Sequence, residues 1–519
     1  MKQPSNKLVS VTPDLTAETL EIEPTAPSTV GMTTKVVKGS LWTLAGQAVP
    51  MAVSLVATPF TIRLLGSEAY GVLILVGLIP TYLGFAEFGM SIASTKFASE
   101  AYAAGDTAKE AQIIRTAAVI AFLASLPFGV GIFLLSGWLV TLFNVPEHLA
   151  GDASLALKFA SVTFVVNFLN GIFNTPQLTR LRMDLNTFVS AGFRILGQVA
   201  VPVVIFYVGG IAAAIFALMV VSLLTLGAHI LVSGNLLPDL FGKSIDRGVI
   251  RRLLKFGGGL VVAGIAGIFL VNVEKGILAA TVSPKALAYY SIAFTLATMM
   301  TLFSSSMIQS LLPAFSQLQS DDKRDQLNAL YSRGIRISLI LCVPALVFLS
   351  LLAKPFFTRW AGPEFGQEST LPFYILAGGL AFNIIAYLPF TAIMATGRTD
   401  IFAKLYWAEL APYILLVWFL ASRYGAIGAA LAWSLRVIAD AVFQFVLAKK
   451  MARVTFSSRN LIWFAAASVI MLSPFAADVY LGQLSIAIAV SAVSCLAIYA
   501  LIIWKTMLEK EEVAWFLQR

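Results

Sequence analysis

The sequence predicts an all-α polytopic membrane protein with about fourteen transmembrane helices. Three observations predict this fold: the composition, the lengths of the apolar segments and the distribution of basic residues. Hydrophobic residues make up 58% of the 519 residues and charged residues only 12%, whereas a soluble domain carries about 25% charged residues. With so few charged side chains, most of the molecular surface must face lipid.

Many apolar segments are long enough to cross a bilayer, which takes about 20 residues of helix. Several of them contain proline or glycine, which transmembrane helices tolerate where neighbouring groups satisfy the freed backbone. The segments lie near residues 40–62, 70–95, 116–142, 155–176, 186–208, 210–232, 256–280, 286–312, 334–353, 371–396, 401–421, 425–447, 459–477 and 482–504.

Basic residues favour one side of this arrangement. If the N-terminus is cytoplasmic, few of the 36 Lys and Arg residues lie in outer loops, namely Arg63, Lys158, Lys275, Lys285, Lys354, Arg359 and Arg423. This asymmetry follows the positive-inside rule and predicts that both termini are cytoplasmic. It also explains the net charge of +9 by basic anchors beside anionic lipid, so no nucleic-acid partner is expected.

The chain contains a weak internal repeat. A shift of 216 positions places Arg182 on Arg398, Asp184 on Asp400 and Gly209 on Gly425. Because the shift spans six helices, an even number, the two copies are expected to be parallel. The predicted organisation is a disordered cytoplasmic tail at 1–34, six-helix lobes at 35–233 and 256–448 with a cytoplasmic linker at 234–255, an extra helix pair at 459–504 and a cytoplasmic tail at 505–519.

Enzymatic chemistry is not indicated. The two cysteines and two histidines are isolated from one another, which predicts neither a disulfide framework nor a metal site. The chain has no GxxxxGK[ST] motif, so no intrinsic ATPase and no bound cofactor are expected. An integral-membrane glycosyltransferase or polymerase would need catalytic acids in a sizeable outer loop, and the longest one here, 353–370, carries only Glu364 and Glu368.

The opening of the first lobe resembles a known family. Lys38-Gly39-Ser40 precedes the first span, a Leu-Gly-x-x-x-Tyr-Gly turn follows it at residues 65–71, and the second span ends in Glu87-Phe88-Gly89 followed by Lys96. These motifs resemble the polysaccharide-flippase (Wzx-type) branch of the multidrug/oligosaccharidyl-lipid/polysaccharide exporter superfamily. In that branch the third motif is usually Asp-x-Gly, and here glutamate stands in place of the aspartate. The resemblance covers about residues 35–450.

The resemblance implies a transporter that flips a prenyl-diphosphate-linked oligosaccharide to the outer leaflet by alternating access. Membrane lipid and components of polysaccharide polymerisation and export are the implied partners. Two alternatives within the superfamily remain open at this point: a peptidoglycan-precursor flippase and a drug or cation antiporter. A scaffold without transport is a further alternative, although it would not need charged residues within its spans.

Charged residues within or beside the spans are the candidate site residues. A diphosphate head group is best bound by Arg and Lys, so the cations predicted to line a central cavity between the lobes are Arg63, Lys96, Arg194 and Lys275. Carboxylates predicted to be structural or to bind a coupling H⁺ or Na⁺ are Glu87, Glu274, Glu409 and Asp440. Arg436 and Asp440, four residues apart on one helix, are predicted to pair with each other.

Glu87 is the most unusual of these residues, because an unpaired carboxylate within a span is costly. If the second span is a continuous helix, Ser91, Ser94 and Thr95 continue a polar stripe from Glu87 along one face. Such a stripe indicates either a wet cavity or a partner helix, and both interpretations are kept.

Overall fold

The computed structural model describes residues 29–242, 246–301, 311, 314–316, 318, 323–398, 400–455 and 493–501. Side chains are described from Trp42 onward, except at 259, 260, 262, 263, 341, 343 and 400. These residues are almost entirely helical, and no β-strand occurs among them. The all-α prediction is therefore confirmed.

The chain forms the following helices in order: α1 Thr29–Tyr82, α2 Met90–Ala103, α3 Thr107–Leu134, α4 Ser136–Leu142, α5 Glu147–Phe173, α6 Thr175–Thr179, α7 Met183–Val208, α8 Ile211–Leu236, α9 Arg247–Thr281, α10 Pro284–Thr298, α11 Arg324–Trp360, α12 Pro363–Glu368, α13 Thr370–Ala395 and α14 Asp400–Met451. Two short 3₁₀ turns lie at Gly84–Glu87 and Pro238–Phe241.

Nine helices in the described part of the chain are long and apolar enough to cross a membrane. Two of them, α1 and α14, are each bent at a glycine with a positive φ, Gly66 at 81° and Gly425 at 57°. Only glycine adopts such a backbone readily. α14 therefore contains two of the predicted spans, and α1 contains the first predicted span and the first half of the second. The protein is a multi-pass membrane protein.

The internal repeat predicted from the sequence has matching corners in the structure. Gly209, at φ 79°, ends α7, and Gly425, its partner in the repeat, bends α14. Asp184 lies in the first turn of α7, and its partner Asp400 begins α14. The two segments therefore start and turn at equivalent positions.

Some predicted boundaries differ from the structure. Residues 29–34, predicted as part of a disordered tail, are the first residues of α1, because adding a residue to an existing helix is far easier than starting one. The predicted linker contains the end of α8, a 3₁₀ turn and the start of α9 at Arg247. The rest of the N-terminal tail, the C-terminal tail at 505–519 and most of the extra helix pair lie outside the described residues.

Most buried apolar side chains belong to clusters drawn mainly from α1–α8 or mainly from α9–α14, although Ile62 of α1 joins a cluster of the second group and Leu253, Ala279 and Leu287 of α9 and α10 join clusters of the first. We call these helix groups the first and second lobes. The bundle has two ends, which we name by their turns. The Gly66 side carries the bend of α1, the α9–α10 turn and the bend of α14. The Gly105 side carries the α2–α3 turn at Gly105 and the start of α9.

A buried ion pair supports the first lobe at the Gly105 side. Arg180 donates two hydrogen bonds to the Glu110 carboxylate, at 2.6 and 3.1 Å, and Thr179 donates a third at 3.1 Å. The Glu110 side chain is fully buried. The guanidinium also lies 4.7 Å from the centre of the Tyr102 ring. Removing one partner of such a pair leaves the other charge buried and unpaired.

Replacing Glu110 with alanine should therefore lower the free energy of unfolding by about 3–5 kcal/mol. The matched control is Arg182→Ala, because the Arg182–Asp184 pair is largely exposed and such pairs contribute about 0–1 kcal/mol. Unfolding in detergent can be followed by the reaction of buried Cys342 with a thiol dye, in a Cys495→Ser background. Equal midpoints for Glu110→Ala and Arg182→Ala would contradict the prediction.

Candidate functional site

A polar cavity of about 670 Å³ lies inside the first lobe, between α1, α5, α7 and α8. Each of the four helices contributes side chains three or four residues apart, which places them on one helical face. The polar residues are Ser54, Thr58, Thr61 and Tyr70 from α1, Thr163, Asn167, Asn170 and Asn174 from α5 and its C-cap, Ser190, Arg194 and Gln198 from α7, and Ser222, Thr225 and His229 from α8. We call this cavity the polar pocket.

Hydrogen bonds hold the walls of the polar pocket together. The Ser222 hydroxyl donates to Asn167 Oδ1 at 2.6 Å, and Asn170 Nδ2 lies 3.3 Å from the Ser222 hydroxyl. His229 joins two further helices, with Nε2 3.3 Å from the Ser190 hydroxyl and Nδ1 3.1 Å from Gln177 Nε2. These contacts link α5, α6, α7 and α8, so the amides and hydroxyls of the pocket are held in place.

Acceptor atoms in the pocket remain available. Asn170 Oδ1, Asn174 Oδ1 and Gln198 Oε1 are buried, and no described residue donates a hydrogen bond to them. Buried acceptors of this kind are normally paired with protein, water or ligand. A molecule rich in hydroxyl groups supplies the donors that these amide oxygens need.

The four predicted cations do not share one cavity in this structure. Arg194 lines the polar pocket, and it is the one Lys or Arg residue among the described residues lining it. Arg63 lies in a separate apolar groove, and its Nη2 donates to the Arg359 carbonyl at 2.8 Å. Lys96 lies 4.5 Å from the centre of the Phe256 ring, and Lys275 Nζ lies 3.1 Å from Asn272 Oδ1.

In this conformation the described residues do not form the expected central cationic cavity; the polar pocket lies within one lobe and combines Arg194 with amides, hydroxyls and His229. The reason is that the lobes touch each other where the cavity was expected. Lys96 of α2 lies at such a contact, against Phe256 of α9, whereas Lys275 contacts side chains of its own lobe and Arg63 lines the outer groove. The role of each cation in binding remains a prediction.

Glu87 lies at a break in the second predicted span rather than in a continuous helix. The 3₁₀ turn ends at Glu87, Phe88 and Gly89 have φ values of 52° and 63°, and α2 begins at Met90. The Glu87 carboxylate accepts a hydrogen bond from the Ser91 backbone N–H at 2.5 Å. The negative charge thus lies at the N-terminus of α2, where the helix dipole favours it.

The polar stripe that follows Glu87 faces a partner helix. The Ser91 hydroxyl donates to the Gly171 carbonyl at 2.8 Å, and Ser94 and Thr175 share a hydrogen bond of 3.0 Å. The Thr95 hydroxyl donates to the Ser91 carbonyl of its own helix at 2.9 Å. Of the two interpretations kept from the sequence, this geometry favours packing of α2 against α5 and α6.

A second charged cluster lies within the second lobe. Glu274 is fully buried and accepts hydrogen bonds from the hydroxyls of Tyr290 at 3.3 Å and Tyr413 at 3.0 Å. The guanidinium of Arg436 lies 5.1 Å from the centre of the Tyr413 ring. Lys275 is the other base beside Glu274, and its ammonium lies 4.6 Å from the centre of the Phe294 ring.

The predicted pairing of Arg436 with Asp440 is wrong. Arg436 lies 3.5 Å from Glu409 of the other half of α14, and Asp440 accepts a hydrogen bond from Gln444 at 2.8 Å. Both oxygens of Glu409 and one of Asp440 are buried without a hydrogen-bond partner in the described part of the chain. The bend at Gly425 brings the two halves of α14 side by side, so the arginine finds a partner that helical spacing cannot reveal.

The two lobes touch at the Gly66 side. The Trp360 indole donates to the Leu55 carbonyl at 2.7 Å. Pro59, four residues after Leu55, has no N–H, so this carbonyl lacks its normal helix donor. The indole of α11 therefore replaces a hydrogen bond that the first lobe lost to proline.

The same side carries a surface ion pair between α10 and α12. The Lys285 ammonium lies 2.5 Å from the Glu364 carboxylate, which also accepts a hydrogen bond from Tyr289 at 2.6 Å. Partial burial raises the pKa of Glu364, but the hydrogen bonds from Lys285 and Tyr289 outweigh it, so the pKa of this carboxyl lies below its usual range.

The lobes also touch at the Gly105 side and near the middle of the bundle. At the Gly105 side, Arg252 of α9 donates to Glu100 of α2 at 2.6 Å. Near the middle, the Tyr82 hydroxyl is inserted into α9, where it donates to the Asn272 carbonyl at 2.5 Å and accepts from the Gly276 N–H at 3.1 Å. Contacts at both ends make this a closed conformation.

Of the residues that line the polar pocket, Arg194 was predicted from the sequence, and the amides and hydroxyls around it were not. The signal was present in the spacing of Asn167, Asn170 and Asn174, which repeats at three and four residues within a predicted span. Similar spacing in the neighbouring helices would have predicted the pocket.

The fold and the pocket define a class: a two-lobed, multi-pass helical membrane transporter with a polar pocket inside one lobe. A family model described as "Polysaccharide biosynthesis protein" matches residues 61–365. The chain belongs to this polysaccharide biosynthesis protein family, and the resemblance noted in the sequence is confirmed.

Comparisons with individual proteins agree with this assignment. The chain is 24% identical to a putative O-antigen transporter of Shigella flexneri, with 81% of this chain and 99% of that protein covered. It is also 24% identical to a probable low-salt glycan biosynthesis flippase of Haloferax volcanii, over 43% of this chain and 47% of that protein.

Solved structures support the fold. The chain is similar to the lipid II flippase MurJ in an inward closed conformation, with a TM-score of 0.69 and 15% identity over 90% of this chain and 100% of that one. An inward-facing multidrug resistance transporter of the MATE family gives a TM-score of 0.60 and 13% identity, with 79% of this chain and 98% of that one covered.

Proposed function

We propose that this protein translocates a prenyl-diphosphate-linked oligosaccharide from the cytoplasmic to the outer leaflet of a bacterial inner membrane by alternating access. The observation that carries the proposal is the polar pocket, a hydroxyl- and amide-lined cavity inside a lobe that is otherwise packed with apolar side chains. The family assignment and the relatives named as an O-antigen transporter and a glycan flippase support it.

The chemistry of the pocket suits a glycan. Each sugar hydroxyl both donates and accepts hydrogen bonds, and Asn and Gln amides offer two donors and an acceptor in one plane. A sugar enters a membrane only where such partners replace its water, because unsatisfied polar groups cost several kcal/mol in hydrocarbon. The guanidinium of Arg194 can additionally bind a phosphate oxygen.

The orientation completes the mechanism. With the positive-inside rule, the Gly105 side faces the cytoplasm, the Gly66 side faces outward and both termini are cytoplasmic. The closed conformation would open at the Gly105 side to load the glycan and at the Gly66 side to release it. The contacts of Arg252 and Trp360 would break in turn.

The energy would come from an ion gradient, from the membrane potential or from consumption of the product. An anionic head group moving outward from an inside-negative cell gains about 2.3 kcal/mol per charge for 100 mV. Glu409 and Asp440 have buried oxygens without hydrogen-bond partners among the described residues, so they are the groups best placed to bind a coupling H⁺ or Na⁺. Components of polysaccharide polymerisation and export would receive the product.

Two alternative functions are less well supported. A drug-cation antiporter needs a carboxylate in its pocket, and Arg194 would repel a cationic drug. A peptidoglycan-precursor flippase is the second candidate, because its cargo has the same prenyl-diphosphate link and the fold is similar to MurJ. The amides, hydroxyls and single guanidinium of the polar pocket suit either glycan, so the family assignment is what favours the oligosaccharide.

The proposal can be tested in a strain lacking the gene and complemented with it. Prenyl-diphosphate-linked glycan should become accessible to a membrane-impermeant glycosidase at the outer face only when the gene is present. A parallel assay with the peptidoglycan lipid precursor tests the second candidate. Unchanged accessibility of the oligosaccharide lipid, with the protein present in the membrane, would refute the proposed function.

A further inference from the structure

An apolar groove of about 1030 Å³ runs along the outside of the first lobe between α1 and α7. Its walls come from residues 48–64 of α1 and 199–207 of α7, and Arg63 is the charged residue among them. Large side chains in it are open to the membrane, for example Val56 at 65% and Phe206 at 66% exposed. At about 1.5 Å per residue, the α1 wall is about 24 Å long, close to the thickness of a hydrocarbon core.

We propose that this groove binds the prenyl chain of the lipid-linked glycan, with the diphosphate beside Arg63. The inference rests on the proposed function and names the place where the lipid part of the substrate is held. It concerns a different face of α1 from the one that lines the polar pocket.

The first argument is the position of the charge. Arg63 lies at the Gly66 end of the groove, next to the bend of α1. Tyr207, 79% exposed, ends the α7 wall at the same height, and aromatic residues of this kind mark the membrane–water interface. A lipid in the groove would therefore place an anionic head group beside a guanidinium at the interface and its chain along the apolar walls.

The second argument is the distance to the polar pocket. Ala57 lines both the groove and the pocket, so one small side chain separates them on α1. On α7, Gln198 lines the pocket and Val199 lines the groove. A lipid-linked glycan has a polar and an apolar part. Its glycan matches the polar pocket on one side of this wall, and its prenyl chain matches the groove on the other side.

The third argument concerns the closed end of the groove. Toward the Gly105 side, α1 and α7 meet closely: Thr187 donates to the Trp42 carbonyl at 3.2 Å, and a Cβ at Gly46 would lie 2.8 Å from the Thr187 methyl. Helices α1 and α7 are therefore in close contact at the Gly105 end, and apolar space lies between them toward Arg63. Bulk lipid is as apolar as the groove walls, so binding must depend on shape and on the charge of Arg63.

The test uses the full-length protein in nanodiscs and two photoreactive probes with the same prenyl chain, one ending in diphosphate and one in alcohol. The diphosphate probe should label peptides of α1 and α7 that line the groove. Excess unlabelled prenyl diphosphate should displace it, and excess phosphatidylglycerol should not. Labelling elsewhere, or equal displacement by phosphatidylglycerol, would overturn the inference.

Three variants test whether the labelled site is the groove. Arg63→Ala should reduce groove labelling several-fold for the diphosphate probe and leave the alcohol probe unchanged. Val203→Trp fills the groove and should reduce labelling by both probes. Val119→Trp, at a similarly exposed valine on α3, is the matched control and should change neither. Groove labelling that survives Val203→Trp would contradict the proposed site.

Failure of this inference can be separated from failure of the proposed function. Translocation of lipid-linked glycan is measured with the wild-type protein in proteoliposomes of the same lipid composition. If translocation occurs and the groove is not labelled, the prenyl chain is held elsewhere and only the inference fails. If the groove is labelled and translocation is absent, the lipid site stands and the proposed function fails.

Discussion

Replacing Gly71 with alanine should hold the Gly66 side open and reduce glycan translocation at least about tenfold. A Cβ at this position would lie 1.9 Å from the carbonyl oxygen of Pro284 and 2.4 Å from its carbonyl carbon. Both are backbone atoms that no rotamer change can move, so α1 and α10 would have to separate. Overpacking costs about 1–3 kcal/mol, which shifts an open–closed equilibrium about 5- to 150-fold.

The conformational effect can be measured with a cysteine in the polar pocket. In a background without Cys342 and Cys495, Ser54→Cys should react faster with an external, membrane-impermeant maleimide when Gly71→Ala is added. Gly77→Ala is the matched control, because it lies on the same helix and a Cβ there meets no atom within 4 Å. Identical labelling and transport for Gly71→Ala and Gly77→Ala would show that the close contact does not control opening.

Replacing Arg194 with alanine should weaken the apparent affinity for lipid-linked glycan about 10- to 150-fold. The physical reason is the loss of a charge-assisted hydrogen bond, which contributes about 1.5–3 kcal/mol, from a pocket whose other lining residues are uncharged or weakly basic. Arg194→Lys should retain part of the affinity, because it keeps the charge and loses the planar pair of donors.

The measurement for Arg194 is the initial rate of translocation in proteoliposomes over a range of lipid-linked glycan concentrations. Arg423→Ala serves as the control, since Arg423 stacks 4.2 Å from the centre of the Phe419 ring and lies outside the pocket. A half-saturating concentration for Arg194→Ala equal to that of the wild type would remove Arg194 from the binding site, whatever its effect on maximal rate.

Hydropathy and short-range spacing predicted much of this molecule correctly. Apolar runs of about 20 residues indicated the spans, because a helix in lipid must satisfy its own backbone. Gly209 and Gly425, aligned by the predicted repeat, both have positive φ in the structure. Arg194 was predicted to line a central cavity between the lobes; in the structure it lines the polar pocket inside the first lobe, and its role in binding stays a prediction.

Predictions that depended on contacts between distant segments were less successful. Helical spacing suggested that Arg436 pairs with Asp440, whereas the bend at Gly425 gives Arg436 a partner in Glu409. Glu87 was placed on a continuous helical stripe, whereas a break at Phe88 and Gly89 puts it at the start of α2. The first error arose because helical spacing within one span does not reveal a partner on another span, and the second arose because a helix was taken as continuous where the chain breaks.

The amino-acid sequence alone establishes the membrane environment, the sites of the spans, the polar faces of α5 and α7, and the absence of an ATPase motif. These features depend on composition and on a period of 3.6 residues, both of which are local. The tertiary structure decided which faces meet. The Trp360 indole donates to the Leu55 carbonyl, which has no helix donor because of Pro59, and the Tyr82 hydroxyl bonds to the backbone of α9. Ala57 forms the wall between the polar pocket and the groove. Such contacts join residues up to 305 positions apart, and lipid supplies no hydrophobic force to select them, so packing and hydrogen bonding between helices decide them.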